Sequence, residues 1–192
     1  MLPAMSKRNL SRVSRRKILV AALTVAAPAA MSTTLSRAAV GANAMQRTTF
    51  ERERFVEDCT RAAREHDAQA AVRDVLARAV AEANDVLLAM GEPTRAGLDV
   101  LHRSANLTIF AAKWAPQMNL LAHDHRMWAL IGIYTGREDN ILWRRTATGV
   151  EAFGARVLYA RDVAALPADV IHSVTNPLQR FTAGLHIYGG DF

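Results

Sequence analysis

Three histidines in two short segments carry the strongest chemical signal in the chain. His123 and His125 stand two residues apart at the head of an apolar run, and His172 follows 47 residues later in Val170-Ile-His-Ser-Val-Thr-Asn-Pro177. Residues i and i+2 of a strand project to the same face, so an H-x-H pair presents two imidazoles side by side. A third imidazole from a distant strand completes a set able to hold one divalent metal, and neutral imidazole is the commonest metal ligand. Three imidazoles alone suit zinc, iron, copper or nickel. A site of two histidines and a carboxylate needs an acid on the same face. Asp124 alternates to the opposite face, and Glu138 is expected in the turn after Gly136, poorly placed to reach inward. A fourth histidine, His186, stands two residues before Tyr188 on what reads as the last strand, again sharing one face. His66 and His102 read as surface or turn residues.

The elements that must position these groups divide the chain in two. Residues 51–91 read as a helical pair: Phe55, Cys59 and Ala62 recur at helical spacing, and Val72, Val75, Leu76, Val80, Ala83, Val86 and Leu87 line one face of a stretch over 68–90. Gly91 and Pro93 end it. From residue 98 onward short β-like runs alternate with turn residues: 106–114, 120–123, 127–134, 140–146, 150–153, 156–159, 168–172 and 180–188. Eight short strands at this spacing predict an antiparallel barrel or jelly roll with the helices against it and the ligands inside.

Composition narrows the functional classes. The formal charge is +6, but residues 1–50 hold eight basic residues and no acid, leaving 16 basic against 18 acidic residues in the remainder. The basic balance belongs to the leader, which argues against a nucleic-acid surface on the folded part. That leader has the layout of an export signal: Ser14-Arg15-Arg16-Lys17, an apolar run over 18–31, and small residues at Ser36-Arg37-Ala38. The paired arginines resemble a twin-arginine signal and predict an exported, periplasmic protein. Other readings are a transit peptide, or a true start at Met45 that leaves the protein cytoplasmic. A 14-residue apolar run is short for a span of roughly 20, so no stable membrane span is expected after processing. The organisation expected is signal over 1–38, linker over 39–50, helical segment over 51–92 and barrel over 93–192. Cys59 is the only cysteine, which excludes an intrachain disulfide.

His123-Asp-His125, a strand closing on Thr135-Gly136, the segment from His172 to Pro177, and Gly184-Leu-His-Ile-Tyr188 together resemble the thiol dioxygenases of the cysteine dioxygenase type, within the cupin superfamily. The resemblance spans about residues 95–190 and implies a mainly β fold, the cupin double-stranded β-helix, with N-terminal helices. The glutamate that general cupins carry three to four residues beyond H-x-H is missing, with Met127, Trp128 and Ala129 in that span, as in the thiol dioxygenases. The resemblance implies iron(II) on His123, His125 and His172; the donor set leaves zinc, nickel, manganese and copper open. It implies a small thiol substrate and dioxygen, with both oxygens ending on sulfur. It also implies roles for Tyr188, oriented by His186, although Gly184 stands where the family has a serine. An arginine normally holds the substrate carboxylate, its planar fork suiting bidentate binding. Arg103 lies in roughly the family's position, with Arg126, Arg144, Arg145 and Arg180 as further candidates.

Overall fold

The computed structural model describes residues 50–192; the leader, and the expected linker as far as Thr49, lie outside the described residues. Three helices come first: α1 (Arg52–Ala62), α2 (Ala68–Ala81) and α3 (Ala83–Met90). Asp67 caps α2, its carboxylate accepting the Ala70 amide at 3.1 Å, which satisfies one of the donors a helix start leaves unpaired. The periodic stretch over 68–90 is two helices rather than one. Glu82 breaks it at φ −98°, ψ 54°, with neither glycine nor proline there to announce the break.

Nine strands follow: β1 (Gly97–Arg103), β2 (Thr108–Trp114), β3 (Asn119–Asp124), β4 (Ala129–Thr135), β5 (Arg137–Thr146), β6 (Gly149–Tyr159), β7 (Val163–Leu166), β8 (Ile171–Thr175) and β9 (Thr182–Tyr188). The expected runs over 150–153 and 156–159 are one strand, β6, while β1 and β7 were not expected. The strands form two antiparallel sheets, ordered β1-β2-β9-β4-β7 and β3-β8-β5-β6. From β2 to β9 this order is that of a jelly roll, the double-stranded β-helix, in which eight strands wind back and forth between two facing sheets. The expected mainly β fold with N-terminal helices is therefore the fold observed.

Burial explains the texture of the sequence. β2, β4 and β9 are buried on both faces, so they read as nearly continuous apolar runs rather than as alternation. Ile109, Ala111, Leu130, Leu185 and Ile187 face outward and form one core with Val72, Leu76, Val80 and Val86 of the helices. Their strand neighbours Phe110, Ala112, Ile131, Ile133 and Tyr188 face inward and form a second core with Leu158, Leu166 and Val174. Each fully buried Leu, Ile or Val in these layers contributes roughly 1.5–3 kcal/mol of transfer free energy. Helix α2 sits close against β4 because Gly132 has no side chain: a Cβ there would meet Leu76 Cδ1 at 2.7 Å.

Gly136, between β4 and β5, is required for a different reason. It sits at φ +82°, and a Cβ would lie 2.2 Å from Thr182 Oγ1 and 2.8 Å from Thr182 Cα. That hydroxyl accepts the Arg137 amide at 2.9 Å, which fixes the first residue of β5. Gly136→Ala combines a left-handed backbone penalty with a backbone clash and is expected to cost about 3 kcal/mol. Chemical denaturation would read this loss. An unchanged midpoint would show that the turn relaxes freely.

Candidate metal centre

The histidine cluster is built where two strands of the second sheet meet. β3 and β8 pair antiparallel with His123 directly opposite His172, after a register shift between Leu120 and His123. Such bulges re-aim side chains and recur beside active sites. His125 lies one residue past the end of β3 rather than on the strand, and Arg126 follows at φ +56°. The turn, not simple strand alternation, thus brings His125 in. Ring centroids are 4.9 Å apart for His123–His125, 4.6 Å for His123–His172 and 5.0 Å for His125–His172, a nearly equilateral triangle. The ligating atoms of the three all fall within 4.8 Å of one another.

The donor chemistry fits a divalent metal. His125 Nε2 and His172 Nε2 face each other at 3.4 Å. Two nitrogens at bond lengths near 2.1 Å, subtending roughly 90–110°, stand about 3.0–3.4 Å apart. The opposite nitrogens are held: His172 Nδ1 lies 2.6 Å from Asn140 Oδ1, and His123 Nδ1 lies 2.8 Å from the Leu121 carbonyl. Both partners are acceptors, so Nδ1 carries the proton in each ring and Nε2 keeps its lone pair. This is the outer-shell arrangement that orients imidazole ligands on metals. Burial, reinforced by the neighbouring His123, lowers His125 to about 4 and His172 to about 3. Neither ring has to lose a proton to ligate at neutral pH. Three histidines here could hold a metal ion.

Behind the cluster runs a chain of buried polar groups, of which His186 and Tyr188 were expected from the sequence and Glu138, Asn140 and Trp114 were not. Glu138, expected in a turn, is the second residue of β5 and is 0% exposed. Its Oε1 accepts Asn140 Nδ2 at 3.0 Å and its Oε2 accepts Trp114 Nε1 at 2.7 Å. Glu138 Oε2 also lies 3.5 Å from His186 Nε2. His186 Nδ1 is in turn 3.4 Å from the Tyr188 hydroxyl. Burial pushes the Glu138 carboxyl up, but contact with His186, Asn140 and Trp114 outweighs it and holds the group below its ordinary range. It is therefore an ionised carboxylate inside the barrel, one residue removed from a candidate ligand. The earlier expectation failed because Gly136 was read as the centre of a longer turn, whereas β5 begins immediately after it. With that start, the i, i+2 rule applied to His123 and His125 would have placed Glu138 and Asn140 together on the inner face.

The residues expected to act beside the cluster are placed unequally. Tyr188 is 3% exposed, with its ring edge-on to His125 at 4.8 Å and stacked on Phe192 at 4.2 Å. Burial, with the Glu138 charge behind it, raises its phenol, so the hydroxyl stays protonated and can donate. At Gly184, where the resembling family has a serine, the space is tight: a Cβ would meet Ile133 Cδ1 at 3.0 Å and the Gly132 carbonyl at 3.1 Å. Glu138 faces His186 there instead. Arg103 is not brought to the cluster. It ends β1 at the surface, its Nε 2.5 Å from Asp191 Oδ1. Arg145 donates to Asp124 at 2.7 Å and Arg144 to Glu151 at 2.6 Å, both on exposed side chains. Cys59 is buried under the helices, its thiol pushed up to about 12 by burial, which makes it inert.

No family model matches the chain, and no curated protein matches it. Solved structures do. A cupin-family protein with a double-stranded β-helix fold from Methanocaldococcus jannaschii is 10% identical, with 52% of this chain and 84% of that one covered at a TM-score of 0.44. A cupin superfamily protein from Desulfitobacterium hafniense is 17% identical over 53% and 83% at 0.43. A cupin domain from Bordetella pertussis is 20% identical over 52% and 96% at 0.38. The strand order carries the fold assignment by itself: the molecule is a double-stranded β-helix with a three-histidine cluster able to hold a metal.

Proposed function

We propose that the chain is a non-haem iron-dependent dioxygenase that converts a small thiol to its sulfinate, with dioxygen as co-substrate. The observation that supports this reading most is the pairing of three clustered imidazoles with a buried, protonated tyrosine packed on one of them. Iron on His123, His125 and His172 would supply a place for thiolate and dioxygen to meet. The reaction balances without a further reductant, since one thiol and one dioxygen give one sulfinic acid. The chain's own residues do the rest. Asn140 orients His172, the apolar inner core excludes water, and the Tyr188 hydroxyl donates a hydrogen bond to substrate or dioxygen. His186 positions that hydroxyl and is itself faced by Glu138.

A second reading, a redox-inert metal acting as a Lewis acid, is favoured by one observation: Gly184 removes the serine from the family's relay. Metal analysis and oxygen uptake separate the two. Near-stoichiometric iron with thiol-dependent uptake is expected, and Tyr188→Phe is expected to lower the uptake rate by about 10²-fold or more, a range typical of losing one preorganised donor. Uptake unchanged in that variant would remove Tyr188 from the chemistry. Zinc in place of iron, with no uptake after iron reconstitution, would replace the dioxygenase reading by the Lewis-acid one.

A further inference from the structure

We infer that the ligand taken beside the three histidines is a small, uncharged thiol, not one bearing a carboxylate or an ammonium group; the inference rests on the thiol reading above and narrows it. The cavity in front of the cluster measures about 70 Å³. A dry cavity of about 150 Å³ holds benzene, so this one accommodates roughly three heavy atoms. Apart from the site's own imidazoles and the phenol, its walls are Leu98, Phe110, Trp114, Leu120, Val174 and Phe192. Among the described residues, no lysine, arginine, aspartate or glutamate side chain lines it. The single polar atom of Trp114 is already committed to Glu138.

The charges nearby are spent elsewhere. Arg103 is paired with Asp191, Arg137 with Asp139, and Lys113 with Asp99, while Arg126 and Arg145 both face Asp124. The carboxylate behind the cluster, Glu138, is held below its ordinary range by its contacts with His186, Asn140 and Trp114 and brings a negative charge. A divalent cation can balance one thiolate and that carboxylate. A second carboxylate on the ligand has no counter-charge and would lose its hydration against leucine, valine and phenylalanine. An ammonium group loses its hydration against the same walls. Glu138 offers it little, being 0% exposed and engaged by Trp114 and Asn140, with His186 alongside.

The test is a titration of the full chain loaded with Co(II), following thiolate-to-cobalt charge-transfer absorption with ethanethiol, 3-mercaptopropionate and cysteamine as probes. Ethanethiol is expected to bind at least tenfold more tightly than either charged thiol. Equal or tighter binding of 3-mercaptopropionate or cysteamine overturns the inference while leaving the metal site intact. Failure to bind Co(II) stoichiometrically overturns the metal reading itself and the inference with it. Leu98→Arg gives an independent arm, because Leu98 is half exposed at the rim and tolerates a longer side chain. Added positive charge there is expected to shift the preference toward 3-mercaptopropionate by about tenfold. An unchanged ratio would show that missing charge is not what excludes the carboxylate, and would overturn the inference.

Discussion

His172→Ala is expected to lower metal affinity by well over 100-fold, reducing the protein to substoichiometric metal after dialysis. His172 supplies one of the two nitrogens that face each other at 3.4 Å, and two imidazoles alone hold a divalent ion far less well than three. The figure has an internal reference. Replacing an outer-shell partner typically costs 10–100-fold in affinity, so Asn140→Ala, which frees His172 Nδ1, should fall in that lower range. Competition against a chromophoric chelator would rank wild type, Asn140→Ala and His172→Ala in that order. Full metal retention by His172→Ala would remove it from the ligand set. Folding should suffer only modestly, since the substitution leaves Asn140 Oδ1 without its partner at a cost of about 1–3 kcal/mol. Circular dichroism would therefore still report a β-rich fold in a protein that no longer holds metal.

The strands buried on both faces and the three histidines were legible in the sequence for the same reason: both are patterns of residue type at short spacing. β2, β4 and β9 are apolar throughout because helices cover one face and the barrel interior the other. β1 was not legible. Leu98 and Val100 remain exposed, so its burial leaves no alternation to read. β7 is four residues long, too short for any periodicity. The break at Glu82, at φ −98° and ψ 54°, is marked by neither glycine nor proline, so nothing local announced it. At the site, His123 and His172 could be paired in advance, but the convergence of His125 could be read only for the wrong reason. It stands past the strand end, delivered by the left-handed Arg126. For the arginine expected to anchor a carboxylate, sequence position does not say which acid a long side chain meets. Arg103 finds Asp191, 88 residues away in the chain.

The buried Glu138 carboxylate predicts the second large effect. It is engaged by Trp114 Nε1 and Asn140 Nδ2 and lies at 3.5 Å from His186. Glu138→Ala leaves two buried donors unpaired at about 1–3 kcal/mol each, and removal of one member of a buried charged network commonly costs 3–5 kcal/mol. A loss of about 4 kcal/mol is expected, which approaches the whole stability of a marginal domain. Glu138→Gln is the gentler probe. It keeps the shape and one acceptor, but its amide nitrogen meets either Trp114 Nε1–H or Asn140 Nδ2–H, donor against donor. It should cost about 2 kcal/mol and loosen Asn140, so metal affinity falls within the 10–100-fold range of outer-shell changes. The pH dependence separates charge from shape. Because the folded carboxyl lies below its ordinary range, its stabilisation is present above about pH 4.3, the unfolded value, and is lost as pH falls through the folded one. Unfolding midpoints of wild type and Glu138→Gln should therefore differ most near neutrality and converge in acid. Wild type losing stability relative to Glu138→Gln as pH rises above about 4.3 would mean that Glu138 is buried as a neutral acid, and parallel curves would mean that folding leaves its carboxyl unshifted; either outcome overturns the prediction.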